Sequence, residues 1–236
     1  MTADGGSVPA AVITGAASGI GAATAALFRR NGWRTAGLDL RPSDTDAPTE
    51  CDVTDEAAVR AAVDAAAARF GRIDAAVTAA GYYEEGIDVC GITRPQWDAM
   101  LAVILGGTRN TCAAVLPHML AAGRGSIIAI SSELALGGSA TDLHYVAAKG
   151  AVLGLVKSLA AELARTPVRV NAVAPGPTDT PLLVPDSPWR EPGYLATLPL
   201  RRLVRPEEVA ATVYYLATEG RTYCGEVLSP NAGAVI

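Results

Sequence analysis

The stretch Ala10-Ala11-Val12-Ile13-Thr14-Gly15-Ala16-Ala17-Ser18-Gly19-Ile20-Gly21 decides the fold. A short apolar run breaks into a turn with three glycines, and a helical pattern follows over about 20–30, stopped by Asn31-Gly32. Strand, glycine turn and helix in that order make the first unit of a parallel α/β sheet. Glycine in such a turn lets the backbone approach a pyrophosphate at the positive end of the helix. The spacing G-x-x-x-G-x-G is not the usual G-x-G-x-x-G fingerprint, and a tight connection alone would read the same way. Asp39 tips the reading. It ends a second strand, at about 35–40, and stands 18 residues after Gly21, close to the roughly 20 that set a carboxylate on an adenosine ribose. A carboxylate there repels the extra phosphate of NADP and Arg41 softens the repulsion, so NAD is expected over NADP.

The rest of the chain repeats the alternation. Residues 55–70 are alanine-rich and helical, with Thr54 as the expected cap. A strand at 73–78 runs toward Gly81, and a long helix occupies about 95–121. Strands at 125–131, 168–173 and 226–228 alternate with helices at about 142–165 and 206–218. The strands are apolar nearly throughout, as in a parallel sheet covered on both faces. The expected fold is therefore α/β, a single-domain, doubly wound, Rossmann-like parallel sheet over 10–236, preceded by a disordered lead-in at 1–9. Residues 175–199 hold seven prolines, which rules out a central strand or an unbroken helix. An irregular segment of that length in a compact domain reads as a lid, placed at about 177–199.

Composition narrows the function. Of 236 residues half are apolar and 18% charged, which suits a large core and not a disordered chain. The net charge is −5 with no basic patch, so no nucleic-acid partner is expected. No uninterrupted apolar run reaches 18 residues, so no membrane span is expected, and the N-terminus lacks the pattern of a signal peptide. Four scattered cysteines and two histidines argue against a metal site and fit a reduced, cytoplasmic protein.

His144-Tyr145-Val146-Ala147-Ala148-Lys149 puts a tyrosine and a lysine one helical turn apart on one face. An ammonium that close favours the phenolate and lowers the tyrosine pKa from about 10, making Tyr145 a candidate proton donor and acceptor. A partly exposed helix face would carry the same spacing.

Taken together, Thr14–Gly21 and Tyr145-x-x-x-Lys149 resemble the short-chain dehydrogenase/reductase family in its classical branch, over nearly the whole chain. Cys51-Asp52-Val53-Thr54-Asp55 is similar to its third-strand segment, where the Asp and Val contact the adenine. Ser132, 13 residues before Tyr145, stands at the spacing of its active-site serine. Asn171-Ala172-Val173-Ala174-Pro175-Gly176 resembles its Pro-Gly segment, and Arg205–Ala210 and Gly225-Glu226-Val227 its last helix and strand. The resemblance implies Ser132, Tyr145 and Lys149 as catalytic residues. It implies nucleotide contacts at Gly15, Ser18, Gly19, Ile20, Gly21, Asp39, Leu40, Asp52, Val53, Ala80, Gly81, Tyr145, Lys149, Pro175, Gly176, Thr178 and Thr180, and no metal.

Two departures stand out. Thr78-Ala79-Ala80-Gly81 replaces the family's Asn-Asn-Ala-Gly, losing at Ala79 an asparagine that ties neighbouring strands. Ile104 stands where the family keeps an asparagine that holds a water in the proton relay, and isoleucine has no hydrogen-bonding side chain. The expected activity is NAD(H)-dependent interconversion of a secondary alcohol and a ketone on an apolar or ring-bearing small molecule. The alternative is a catalytically impaired, nucleotide-binding relative. His144, Glu133, Tyr82 and Tyr83 are each either substrate contacts or packed and surface residues. The resemblance also implies a homodimer or homotetramer.

Overall fold

The protein is described by a computed structural model over residues 8–236. Of the expected lead-in, residues 1–7 lie outside the described residues. Pro9 is tied down, its carbonyl accepting from the Arg34 backbone N–H at 2.8 Å.

Among the described residues seven strands form one parallel sheet: β1 (Ala10–Thr14), β2 (Arg34–Asp39), β3 (Ala47–Glu50), β4 (Ala75–Thr78), β5 (Gly125–Ile130), β6 (Val168–Val173) and β7 (Val227–Leu228). Their order is β3-β2-β1-β4-β5-β6-β7. The chain winds outward from β1 to β3, then returns to β4 on the other side of β1. Ligands bind beyond the carboxyl ends of the strands at such a reversal. β3 left no mark in the hydrophobic pattern, and the third-strand segment that the resemblance put at 51–55 is corrected here: the strand ends just before it, at Glu50. Its residues alternate in burial and include Pro48, so it lacks the apolar run of its neighbours. As the outermost strand it tolerates a proline.

The helices are α1 (Gly19–Arg30), α2 (Glu56–Phe70), α3 (Arg94–Leu101), α4 (Gly107–Ala122), α5 (Leu134–Gly137), α6 (Leu143–Glu162), α7 (Pro192–Thr197) and α8 (Pro206–Thr218). On one face α2, α4 and α6 bury Val63, Val115, Met119, Val152 and Val156 against the sheet. On the other, α1 and α8 bury Phe28, Val209, Val213 and Leu216. Phe28 meets Trp33 and Tyr214 edge-on, with ring centroids 4.9 and 5.1 Å away. Burying such a side chain contributes about 1.5–3 kcal/mol. The expected cap of α2 moves by one residue. The Asp55 carboxylate, not Thr54, accepts from the backbone N–H groups of Ala57 and Ala58.

The expected long helix is continuous, with a wide π turn at Ala102–Gly106 joining α3 to α4. The span Arg94–Ala122 is long and apolar enough to cross a membrane by length and composition, although half of its apolar window is buried within the fold. Packing against α2 and the sheet accounts for that apolarity. The 177–199 segment is less irregular than its prolines suggest, containing a 3₁₀ turn at Pro188–Arg190 and α7.

Two sets of contacts set the height of the strands. At the amino ends the Asp74 carboxylate pairs with Arg72 and Arg124 and accepts from the Ala10 backbone N–H. At the carboxyl ends the Thr14 hydroxyl accepts from the backbone N–H groups of Ala79 and Ala80 at 3.1 and 3.2 Å. Thr14 thus ties β1 to the end of β4, where the Ala79 side chain offers no hydrogen bond.

The glycine turn is packed backbone to backbone. A Cβ on Gly21 would lie 2.1 Å from the Gly15 carbonyl oxygen. Gly21→Ala is therefore expected to cost about 1–3 kcal/mol as overpacking, read as a lowered urea midpoint. An unchanged midpoint would show that the turn is not this tight.

Candidate functional site

The carboxyl ends of β1, β2 and β4 open onto a cleft of about 600 Å³. Its walls include Gly15, Ser18, Gly19, Ile20, Gly21, Asp39, Leu40, Asp52, Val53, Ala80, Gly81, Tyr145, Lys149 and Thr180. Residues drawn from six separate stretches of sequence thus meet in one place. Pro175, Gly176 and Thr178 face instead an adjoining cavity of about 80 Å³, shared by Ile20, Tyr145 and Thr180 and also walled by Ser132 and Glu133. Leu182, Leu183 and Trp189 of the 177–199 segment line that cavity.

At the head of the cleft Gly15 and Gly19 hold φ of 68° and 54°, a region that other residues enter only at a cost. Their side-chain space is already taken. A Cβ would stand 2.8 Å from the Ala79 backbone at Gly15 and 3.1 Å from Thr180 Cγ2 at Gly19. The Asp39 carboxylate is fixed here, accepting from the backbone N–H groups of Ala17 and Arg41, each at 3.0 Å. The Arg41 guanidinium reaches across to donate to Ser18 Oγ at 2.9 Å.

α6 delivers Tyr145 and Lys149 to the junction of cleft and cavity. The Lys149 ammonium is buried, donates to the Ile130 carbonyl at 2.8 Å and lies 5.7 Å from the centre of the Tyr145 ring. Burial pushes its pKa down to about 8. The sequence reading, that the lysine makes the phenol more acidic, is corrected here. Burial is the largest influence on Tyr145 and pushes its pKa up; the nearby Glu133 carboxylate adds to this, and only the Ser132 hydroxyl pulls the other way. Ser132 Oγ donates to Glu133 Oε2 at 2.9 Å. Burial raises the Glu133 carboxyl to about 7.

Tyr83 packs edge-on to Tyr145, with ring centroids 4.8 Å apart, and walls the cavity. Its hydroxyl donates to Asp142 at 2.7 Å, and Asp142 also accepts from the Ile87 backbone N–H at 3.0 Å. Asp142 was missed by the sequence reading. An aspartate just before a helix looks like a cap, but this one caps nothing: it sits at φ 65° and its side chain turns to the loop after β4. His144 is a packed residue, fully buried, with Nε2 3.3 Å from a Glu84 oxygen. Tyr82 walls the nucleotide-sized cleft rather than the cavity.

Ile104 lies buried in the π turn, and its carbonyl accepts from the Thr108 hydroxyl at 2.7 Å. A Cβ added to Gly81 would be 3.7 Å from its Cγ1 and 3.9 Å from Lys149 Nζ. Ile104 and Lys149 thus both face Gly81, and the isoleucine brings no side-chain acceptor there. The walls missed in the sequence, Leu38, Val103 and Ile130, are ordinary core residue types, and only their places at strand ends and in the π turn bring them here.

This arrangement matches known proteins along the whole chain. A family model described as enoyl-(acyl carrier protein) reductase matches residues 15–234. A 3-oxoacyl-(acyl-carrier-protein) reductase of Thermotoga maritima is 34% identical, covering 95% of this chain and 97% of its own. A cis-4-hydroxycyclohexanecarboxylate dehydrogenase of Sinomonas cyclohexanicum is 37% identical, over 94% and 95%. The ligand-free aldohexose dehydrogenase of Thermoplasma acidophilum superposes with a TM-score of 0.89 at 30% identity, over 96% of this chain and 94% of that one. With its sheet order, glycine turn and Ser132, Tyr145 and Lys149 gathered at one junction, the chain belongs to the short-chain dehydrogenase/reductase family of nicotinamide-dependent oxidoreductases.

Proposed function

We propose that this chain is an NAD(H)-dependent dehydrogenase or ketoreductase that interconverts a secondary alcohol and a ketone on a small molecule with apolar walls around it. The observation that carries the proposal is the meeting of Ser132, Tyr145 and Lys149 where the long cleft joins the small cavity. The cleft fits an adenine dinucleotide. Its glycine turn leaves no room for side chains, and helix α1 points its amino end there, as pyrophosphate binding requires. When bound, the nicotinamide gives or accepts the hydride at the carbon of the carbonyl or alcohol.

The residues do the rest. Tyr145 holds the proton that goes to the carbonyl oxygen on reduction and receives it on oxidation. Its raised pKa keeps the phenol protonated at neutral pH, the form that reduction needs. Ser132 donates to the reacting oxygen and polarises it. Lys149, anchored on Ile130, holds the ribose hydroxyls and passes protons. Gly15, Ser18, Gly19, Ile20 and Gly21 take the pyrophosphate. Asp52, Val53 and Leu40 take the adenine, while Ala80, Gly81, Pro175, Gly176, Thr178 and Thr180 take the nicotinamide half. The 177–199 segment acts as the lid, and the reaction takes place in the cytoplasm.

Asp39 supports NAD over NADP, because its carboxylate is held in the wall of the cleft by two backbone N–H groups and would repel a 2′-phosphate. The outer sides of α4 and α6 support a homodimer or homotetramer. α6 in particular leaves Val146, Leu153 and Leu155 half-exposed beside the exposed Gly154, which suits close helix packing. Ile104 favours a second reading, a nucleotide binder with little turnover, since Lys149 lacks the usual side-chain neighbour. NADH binding without turnover of any ketone would support that reading.

Three outcomes are expected. Tyr145→Phe should lower ketone reduction by about 10²- to 10⁴-fold with NADH binding kept; more than a tenth of wild-type activity remaining would remove the assigned role. Asp39→Ser should raise the NADPH-to-NADH ratio of kcat/KM at least about tenfold, as one lost charge repulsion implies, and an unmoved ratio would place discrimination elsewhere. Light scattering should give a dimer or tetramer mass, and a monomer would refute the oligomer.

A further inference from the structure

The mechanism above leaves Glu133 unused, although it is one of the most constrained side chains in the cavity. It follows Ser132 directly, is 6% exposed and lines the cavity with Tyr145. Its backbone N–H donates to the Pro175 carbonyl at 2.9 Å, and its own carbonyl accepts from Leu136 and Gly137 at 2.8 and 2.9 Å. The backbone that carries the side chain is thus held on both sides. The carboxylate accepts from the Ser132 hydroxyl at 2.9 Å, with the backbone N–H groups of Glu133 and Leu134 beside it. No lysine or arginine lines the cavity. A buried carboxyl without a cation needs donors, and here the main one is a hydroxyl that the reaction also needs.

Ser132 has one proton to give. While it points at Glu133 it is not available to the reacting oxygen. A plain ketone must pull that proton away and leave the carboxyl with one donor fewer, a loss that buried acceptors pay for heavily. A substrate with a hydroxyl on the neighbouring carbon avoids the loss, because its own O–H replaces Ser132 at Glu133. The geometry agrees. Ser132 Oγ and Glu133 Oε2 are one hydrogen bond apart, about the spacing of the two oxygens of a gauche vicinal diol. The cavity of about 80 Å³ holds roughly six to eight water-sized groups, enough for a short or single-ring molecule. Anionic keto acids find a carboxyl and no cation there.

We infer that Glu133 recognises a hydroxyl next to the reacting carbon, so that the substrate is a small α-hydroxy ketone without an anionic group, or the vicinal diol it becomes. This rests on the roles proposed above for Ser132, Tyr145 and Lys149. In the reduction, the carbonyl carbon gains a hydride and the carbonyl oxygen gains the Tyr145 proton. NADH is oxidised to NAD⁺, and the second hydroxyl is held without reacting.

The test uses matched pairs with the NADH-loaded protein: cyclohexanone against 2-hydroxycyclohexanone and acetone against hydroxyacetone, with aminoacetone and pyruvate as charged controls. In the wild type the hydroxy ketone should lead its partner by roughly ten- to a hundredfold in kcat/KM, the worth of one hydrogen bond to a charged or half-charged acceptor. Glu133→Leu should bring that ratio to within about threefold, and Glu133→Gln, which keeps an acceptor, should retain most of it. Several results would overturn the inference: a wild-type ratio near one, equal losses on both partners in Glu133→Leu, or a preference for aminoacetone or pyruvate. NADH binding, followed separately by its fluorescence, distinguishes the two levels. Silence across the panel with NADH bound overturns the substrate class alone, and silence without NADH binding overturns the proposed function as well.

Discussion

The contact between the glycine turn and the ends of β2 and β4 is the constraint on which the rest depends. The Gly15 backbone N–H donates to the Leu38 carbonyl at 2.9 Å, and Thr14 holds the chain just past β4. There is no side-chain space at Gly15 or Gly21. The three strand ends are therefore drawn together until backbone touches backbone. The cleft opens outward from that point because β1 to β3 and β4 to β7 wind in opposite directions from it. Asp39 and Asp52 follow the ends of the outer strands into the cleft, while Ser132 and Pro175 follow β5 and β6 into the cavity. A looser turn would move every one of these walls.

Most of this architecture is legible in the sequence because buried parallel strands and glycine turns leave strong marks. β1, β4 and most of β5 are apolar runs, and even β6, which carries Arg169 and Asn171, keeps valine or alanine at its other four positions. What was not legible follows from effects that depend on partners distant in sequence. β3 escapes notice because an edge strand has only one neighbour, β2, and can afford Pro48. The α2 cap moves from Thr54 to Asp55 because Asp52 takes the Thr54 hydroxyl instead, at 2.8 Å. The π turn at Ile104 has no composition of its own. Asp142 looks like a helix cap until the loop carrying Tyr83 and Ile87 is seen to need its carboxylate.

Which residues line the cleft and cavity was largely legible, and their charges were much less so. Tyr145 and Lys149 sit where their spacing puts them, yet the expected electrostatics between them is reversed. One helical turn is a small separation, but across the 5.7 Å from ammonium to ring centre both side chains are buried. The cost of burying charge then exceeds the attraction between the two groups. The phenol rises, and the ammonium falls to about 8. Helical periodicity specifies neighbours and says nothing of solvent, which only the closed fold determines.

The same physics acts on stability with opposite signs on the two titratable neighbours. Glu133 titrates near 7 in the fold, above the range of an exposed carboxyl. Its contribution to stability is whole below the unfolded value and is lost as pH rises through about 7. Lys149 titrates near 8, below an exposed ammonium, so its contribution is whole above the unfolded value and is lost as pH falls through about 8. Near neutral pH the fold therefore bears part of both costs at once. A junction stabilised for its own sake would carry leucines here. These groups instead cost free energy in the folded protein, and under the proposed roles a ligand bringing donors to Glu133 and acceptors to Lys149 would return part of it. Glu133 lies in the cavity and Lys149 in the cleft, with Tyr145 in the wall of both, so on the proposed roles a ligand filling both sides would change the environment of the phenol from each.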